Sequence, residues 1–233
     1  MSGRDGMNAS PQLAEGKVRA VHVGGVAPLG PRGVPSGYRK YPAGLPVIAA
    51  EAGLTGDAQA DLNVHGGPDK AVYAYGQSRY RAWSYAFPGL SERFVAGAMG
   101  ENLAVDGVDE ASVHIGDRVR VGGALLQVTQ PRQPCFKLEL AMGAPGLVRH
   151  MVRSGHSGWY CRVLESGAIG AGDGYATVER PNPTWPVARF NAVIAARALG
   201  ADMLAEMVAM EGLAAGWQVK ALQQLAGLRR AGR

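Results

Sequence analysis

The clearest pattern of apolar and polar positions in the chain is a strict alternation. Val119 and Val121 alternate with Arg118 and Arg120, the pair Gly122-Gly123 interrupts, and the alternation resumes over Ala124–Thr129. That spacing predicts a β-hairpin closed by a two-residue turn. Shorter apolar runs predict strands at Lys17–Val23, Leu45–Ala50, Ala71–Tyr75 and Tyr175–Glu179, the last opened by a turn at Gly172-Asp173. Residues 97–110 mix a strand core with turns. SGHSGWYCRVLESG, from Ser154, is a glycine loop running into a strand, and Tyr38–Pro42 pairs briefly as an edge inside the loop-rich stretch Gly24–Gly44. Tyr80 and Trp83 predict a short helix over Ser78–Tyr85, closed by Pro88-Gly89, and Pro145–Val152 predicts another. Short strands, frequent Gly-Asp turns and few helical periods indicate a mostly β fold, a barrel or curved sheet with a few short helices.

At Arg180 the pattern changes. PNPTWP carries three prolines and reads as a linker, and the alanine- and leucine-rich segment after it repeats its apolar residues at helical spacing. Val187, Phe190, Val193 and Ile194 mark a first helix, ending before Gly200. Leu204, Met207 and Val208 mark a second, with Asp202 as its N-cap and Gly212 beyond its end. Val219, Leu222 and Leu225 mark a third, stopped by Gly227. So small a bundle is marginal alone and leans on the barrel or on a partner chain, for instance in a homodimer. The expected organisation is a flexible leader over 1–16, a β-barrel domain over 17–180 and a three-helix domain over 181–233.

Composition narrows this picture. Hydrophobic content of 47% with 18% charged residues lets the chain bury a real core, and the 34 glycines are spread as turn formers rather than gathered into a tail. The net charge of +5 is modest and its cations form no long runs, which argues against a nucleic-acid surface and suits a small anionic ligand. The first residues, MSGRDGMNAS, have no apolar signal-like core, and no apolar run is long enough to span a bilayer. The expectation is a cytoplasmic protein with reduced thiols.

The densest candidate chemistry lies in TQPRQPCFKL, Thr129–Leu138. Pro131 and Pro134 end the hairpin's second strand and stiffen the loop. Cys135 in that loop reads either as a small buried hydrophobe or as a reactive thiol, for which Arg132 and Lys137 supply an electropositive setting. A second polar cluster surrounds His65, ahead of Gly66-Gly67-Pro68 and followed by Asp69-Lys70, and a third is Gly100-Glu101-Asn102. Cysteine with histidine suits thiol catalysis. Equally, one thiolate completes the sphere of a metal that arrives already chelated by sulfur. Composition does not separate the two.

VHGGPDKAVY, GENL, the IGDRVRVG…LQVTQPRQPCFKL block and SGHSGWYCRVLESG together resemble the MOSC family, the molybdenum cofactor sulfurase C-terminal domain, and specifically its YiiM-like branch with a three-helix domain after the barrel. The resemblance implies a MOSC-type β-barrel that binds the molybdenum cofactor (molybdopterin), with Cys135 as the molybdenum ligand. It implies His65 and Glu101 near the metal, in substrate orientation or proton delivery, and Lys40, Lys70 and Arg132 as holders of the cofactor's phosphate and pterin. Pyridoxal phosphate binding accompanies it at family level. The implied activity is reduction of N-hydroxylated compounds such as N-hydroxylaminopurines, with electrons from an external donor protein. Its competitors are a persulfide carrier and a non-catalytic cofactor-binding protein. The chain departs from the family in Phe136, where tryptophan is expected, and Cys161, in an alternating strand, reads as packing.

Overall fold

The structure is a computed structural model that describes residues 13–61, 66–196 and 199–231. The chain starts with β1 (Glu15–Val23), two residues earlier than the apolar run suggests. The loop-rich stretch after it holds a small hairpin, β2 (Ala27–Leu29) with β3 (Val34–Ser36), and then β4 (Tyr41–Pro42), which pairs with the end of β1 as the edge reading expects. β5 (Val47–Ala50) and β6 (Gly53–Leu54) follow, then a 3₁₀ turn at Pro68–Lys70, β7 (Val72–Gly76), α1 (Ser78–Ala86), a second 3₁₀ segment at Pro88–Arg93, and β8 (Leu103–Asp106). The predicted hairpin is β9 (Arg118–Val121) with β10 (Ala124–Pro131), and Gly122 at φ 53° takes the left-handed backbone that its turn requires. After β10 come α2 (Phe136–Met142), α3 (Leu147–Ser154), β11 (Trp159–Glu165), β12 (Gly167–Ile169) and β13 (Gly174–Glu179). The helical part is α4 (Val187–Ala195), α5 (Ala201–Ala209) and α6 (Ala215–Ala231).

Strands β13, β9, β10, β11, β7, β8 and β1 pair in that order, and β1 pairs back onto β13, closing a seven-stranded barrel. Closure leaves the ring without an open edge. All its neighbours are antiparallel except β7 and β8, which are parallel because the α1 crossover joins them. Val18, Val72, Ala74, Leu103, Val119, Val121, Leu126, Val128 and Trp159 fill the interior. β7 is buried along its whole length. Its Val72 and Ala74 face the barrel core, whereas Tyr73 and Tyr75 join a second cluster with Trp83 of α1, Leu138 of α2 and Met151 of α3.

The helical domain shares the barrel's core. Val187, Phe190, Leu204, Met207, Ala221 and Leu225 belong to one continuous cluster with Val113, Ile115 and Val128. The proline-rich connection is tied down rather than free. Arg180 donates from Nε and Nη2 to the two carboxylate oxygens of buried Asp117, at 2.9 and 2.7 Å, and from Nη2 to Ser112 O at 2.8 Å.

Three helical expectations need correction. The N-cap of α5 is Gly200, with no side-chain cap, and Asp202 sits inside the first turn, where its charge faces the helix's positive end. Gly227 does not stop α6, which continues to Ala231. Val219 and Leu222 are about half exposed, whereas Ala221 and Leu225, one i,i+4 step apart, are buried. No helix among the described residues is long and apolar enough to cross a membrane.

Candidate functional site

β10 carries the cysteine loop to its place. Its last paired residue is Pro131, opposite Trp159, so the proline sits where the ladder no longer needs its N–H. Arg132 N donates to Gly158 O at 3.3 Å, and Thr129 Oγ1 donates to Asp69 O at 2.6 Å, tying the loop to the neighbouring β11 and to the Pro68–Lys70 turn. Cys135 is extended (φ −132°, ψ 170°) and immediately precedes α2. The sequence reading extends the stiff loop to Leu138, whereas the helix begins at Phe136.

The two cysteines differ in kind. Cys161 is sealed inside the barrel, and burial pushes its thiol well above the ordinary range. Cys135 is half-buried and opens onto a cleft of about 580 Å³. Lys40, Lys70, Arg132 and Lys137 line the same cleft, with Asp57 as the carboxylate among them. The cleft therefore gathers the cysteine and all three basic residues that the sequence reading singles out for a bound anion.

Each cation is held differently. Lys40 forms a buried ion pair with Asp57, whose carboxylate also accepts from Gly24 N and Asn102 Nδ2, each at 3.0 Å. Burial pulls the Lys40 ammonium below its ordinary pKa, against the pull of Asp57. Lys70 is also lowered by burial, and by the nearby Lys220. Arg132 is 5% exposed, with its guanidinium 5.7 Å from the Tyr38 ring centroid and 5.3 Å from that of Tyr73. Burial works against its charge, yet the guanidinium stays protonated as arginine does throughout the working range, with the ring faces of Tyr38 and Tyr73 beside it. Burial in turn pushes the Tyr38, Tyr73 and Tyr160 hydroxyls upward, so they remain O–H donors at neutral pH.

Glu101 is fully buried and is not on the cleft wall. Its carboxylate accepts from Tyr80 Oη, Gly97 N and, at 3.0 Å, Met99 N, which fixes the turn that presents Gly100 and Asn102 to the cleft. Burial raises its pKa despite these donors. His65 lies outside the described residues. Phe136 is 57% exposed beside the cysteine. Reasoning from sequence missed Tyr38 and Asp57, which nothing local marks as chemistry, and Tyr160, which lay in a motif quoted for the family resemblance. Asn102 lay in a motif already singled out, and Tyr73 in a predicted strand.

Among the described residues no group of three or more His, Cys, Asp or Glu side chains is placed to hold a metal ion. The donor set is one accessible thiol facing cations and tyrosines, which fits a metal that brings its own ligands on an anionic organic group.

These features define a class: a closed β-barrel whose rim presents one accessible thiol over a cationic cleft, extended by a helical domain. The chain belongs to the MOSC domain family, which it matches over residues 61–176, and it matches the YiiM-like 3-alpha helix domain over residues 185–228. MOSC domains are associated with molybdenum cofactor binding at family level. The chain is 42% identical over 141 residues to protein YiiM of Escherichia coli, covering 60% of this chain and 63% of YiiM. It is 38% identical over 162 residues to a reductase of Gibberella moniliformis, covering 69% of this chain and 29% of that protein. Its fold is similar to the crystal structure of YiiM from Geobacillus stearothermophilus, with a TM-score of 0.77 at 30% identity, covering 90% of this chain and 99% of that one.

Proposed function

We propose that the cleft holds the molybdenum cofactor, with Cys135 as the protein's ligand to molybdenum, and that the protein reduces N-hydroxylated compounds such as N-hydroxylaminopurines. The observation that carries this reading is the meeting of an accessible Cys135 with Arg132, Lys40 and Lys70 on one cleft of a MOSC barrel. Bound there, the cofactor supplies two-electron redox chemistry at its metal. The overall change is R–NHOH plus two electrons and two protons to R–NH₂ plus water, with the electrons from an external donor protein. A thiol kept reduced for this role suits the cytoplasm.

The chain's own residues bind, orient and hold protons. Arg132, a permanent cation, and Lys70 hold the cofactor's anionic end through charge-assisted hydrogen bonds. Lys40 is partly neutralised by Asp57 and acts more as a donor of fixed direction than as a free charge. The hydroxyl of Tyr160 is a protonated donor on the cleft wall, while Tyr38 Oη donates to Ala98 O at 3.0 Å and holds its ring beside Arg132. Glu101 acts as a positioning residue through the 97–101 turn, and His65 is proposed as the proton donor, since imidazole titrates nearest neutrality.

The test is metal analysis and N-hydroxylaminopurine reduction on protein made in cells that synthesise the cofactor. The expected result is molybdenum in the wild type, with both metal and activity lost in Cys135→Ser. Equal molybdenum in the two proteins, or a persulfide mass on Cys135 without extractable pterin, would overturn it.

A further inference from the structure

The mouth of the cleft beside Cys135 is built from two stretches of chain that hold no carboxylate. None occurs between Glu15 and Glu51, nor between Asp117 and Glu139. The first stretch supplies the β2–β3 hairpin and the cleft residues Ser36, Tyr38 and Lys40, and the second supplies Arg132, Cys135 and Lys137. The hairpin lies against α2. Lys137 Nζ donates to Pro35 O at 3.0 Å, and Gly30 in the hairpin turn backs onto Leu140, whose Cδ2 would stand 3.2 Å from a Cβ there. Phe136 is one helical turn before Leu140 on the same side of α2, so its ring stands next to the hairpin, 57% exposed. Arg32 in the hairpin turn and Arg39 shortly after β3 are exposed, and neither pairs with a carboxylate among the described residues. The acids nearest to this wall are already engaged. Glu139 accepts from Gly146 N and Val148 N at 2.8 and 3.1 Å, and Asp57 is neutralised by Lys40.

We infer that this wall, the β2–β3 hairpin with the start of α2, is the docking face for a protein with an acidic surface patch, the electron donor of the cleft. This rests on the function proposed above, which calls for a donor but gives neither its place on the surface nor its charge. Both are read here from the wall itself. An exposed aromatic ring with unpaired cations around it has the usual anatomy of a protein interface, an apolar centre inside a polar rim. Cations without neighbouring carboxylates steer an acidic partner onto the face and repel a basic one. Phe136 adjoins Cys135 in the chain, so a partner seated on that ring brings its own redox group to the mouth onto which Cys135 opens. The donor gives up the two electrons that the reduction consumes and leaves oxidised. Redox encounters of this kind bury little area and are weak, which suits a face with one ring at its centre. An anionic membrane would also meet these cations. The wall is a hairpin beside a helix of 7 residues, not the long amphipathic helix that holds a protein in a lipid interface, so the protein partner is favoured.

The experiment titrates the full chain by calorimetry with two acidic electron carriers, a plant-type ferredoxin and a flavodoxin, at low and at high salt. The expected result is binding of at least one carrier by the wild type, weakened by salt, with at least a tenfold weaker Kd when Arg32→Glu and Arg39→Glu are combined. Arg229→Glu, exposed at the far end of α6, makes a charge reversal away from the face and should bind as the wild type does. In molybdenum-loaded protein, kcat/KM for the carrier should fall by the same factor in the double variant, while turnover with reduced methyl viologen stays at the wild-type level. An unchanged Kd in the double variant, an equal loss in Arg229→Glu, or no binding of either carrier by the wild type would overturn the inference. Carbodiimide cross-linking of the wild type needs no variant. Links from carrier carboxylates to Lys137 support the face, whereas links confined to Lys17 or Lys220 would overturn it. Flotation with phosphatidylglycerol vesicles, by a chain that binds neither carrier, would overturn it in favour of a membrane. Molybdenum content is measured beside binding, so a loaded, active protein with an unmoved Kd fails the docking face alone, and a protein without molybdenum fails the proposed function.

Discussion

At the scale of single residues, His22 shows how closely the cleft's backing is packed. It is 3% exposed, and its Nδ1 has no hydrogen-bond partner among the described residues. Its ring packs closely on Gly97, where a Cβ would come within 3.1 Å of the imidazole and would have to push it aside. Burial lowers its pKa from 6.5, and the Lys40 ammonium lowers it further. A histidine depressed in the folded state is protonated more readily in the unfolded chain. Its contribution to stability is therefore complete above pH 6.5 and is lost as pH falls through the folded-state value. Urea unfolding between pH 7.5 and 5 is expected to show stability falling with acidification, and His22→Gln to flatten that slope. An equal slope in the variant would assign the acid sensitivity to other groups.

Among the elements, the sequence was most legible where period and punctuation agreed. The β9–β10 hairpin followed from alternation beside a turn, the strand opened by Gly172-Asp173 is β13, and Tyr41–Pro42 pairs inside the edge read over Tyr38–Pro42. Helix α2 was hidden because Pro131 and Pro134 suggest a loop, whereas Phe136 to Met142 lies just beyond the restriction that proline imposes on its neighbours. The face of α6 was misread because Val219 and Leu222 are apolar yet exposed, and Ala221 is small yet buried. The cysteine and its cations were legible as local chemistry, but Asp57 and Tyr38 reach the cleft only through tertiary contacts. The same holds for the start of α6, where Asp69, distant in sequence, accepts from Ala215 N at 2.9 Å and pairs with Arg162 at 2.7 Å. This carboxylate caps the helix from the Pro68–Lys70 turn beside the cleft. Asp69→Ala is expected to destabilise the protein by roughly 1–2 kcal/mol. Faster amide exchange in the first turn of α6 than elsewhere in that helix would locate the effect, and uniform exchange would contradict it.

For the whole molecule, the decisive feature is that the barrel and the helical domain do not have separate cores. Phe190 is fully buried, with its ring 6.0 Å from Trp185 and 5.4 Å from Trp217, in the same cluster as barrel residues Val113, Ile115 and Val128. Arg180 and Asp117, a buried ion pair at 2.7 Å, clamp the connection. A three-helix unit of this size has too little core to stand alone, so its stability is borrowed from the barrel wall. Calorimetry is therefore expected to show one unfolding transition for the full chain. Phe190→Ala, which leaves an aromatic-sized void at the junction, is expected to lower stability by about 3–5 kcal/mol. Barrel and helix signals should still move together in that variant, because the void lies in packing common to both. A helical signal that melts ahead of the barrel, in the wild type or the variant, would show that the junction is an interface between independent units rather than a shared core.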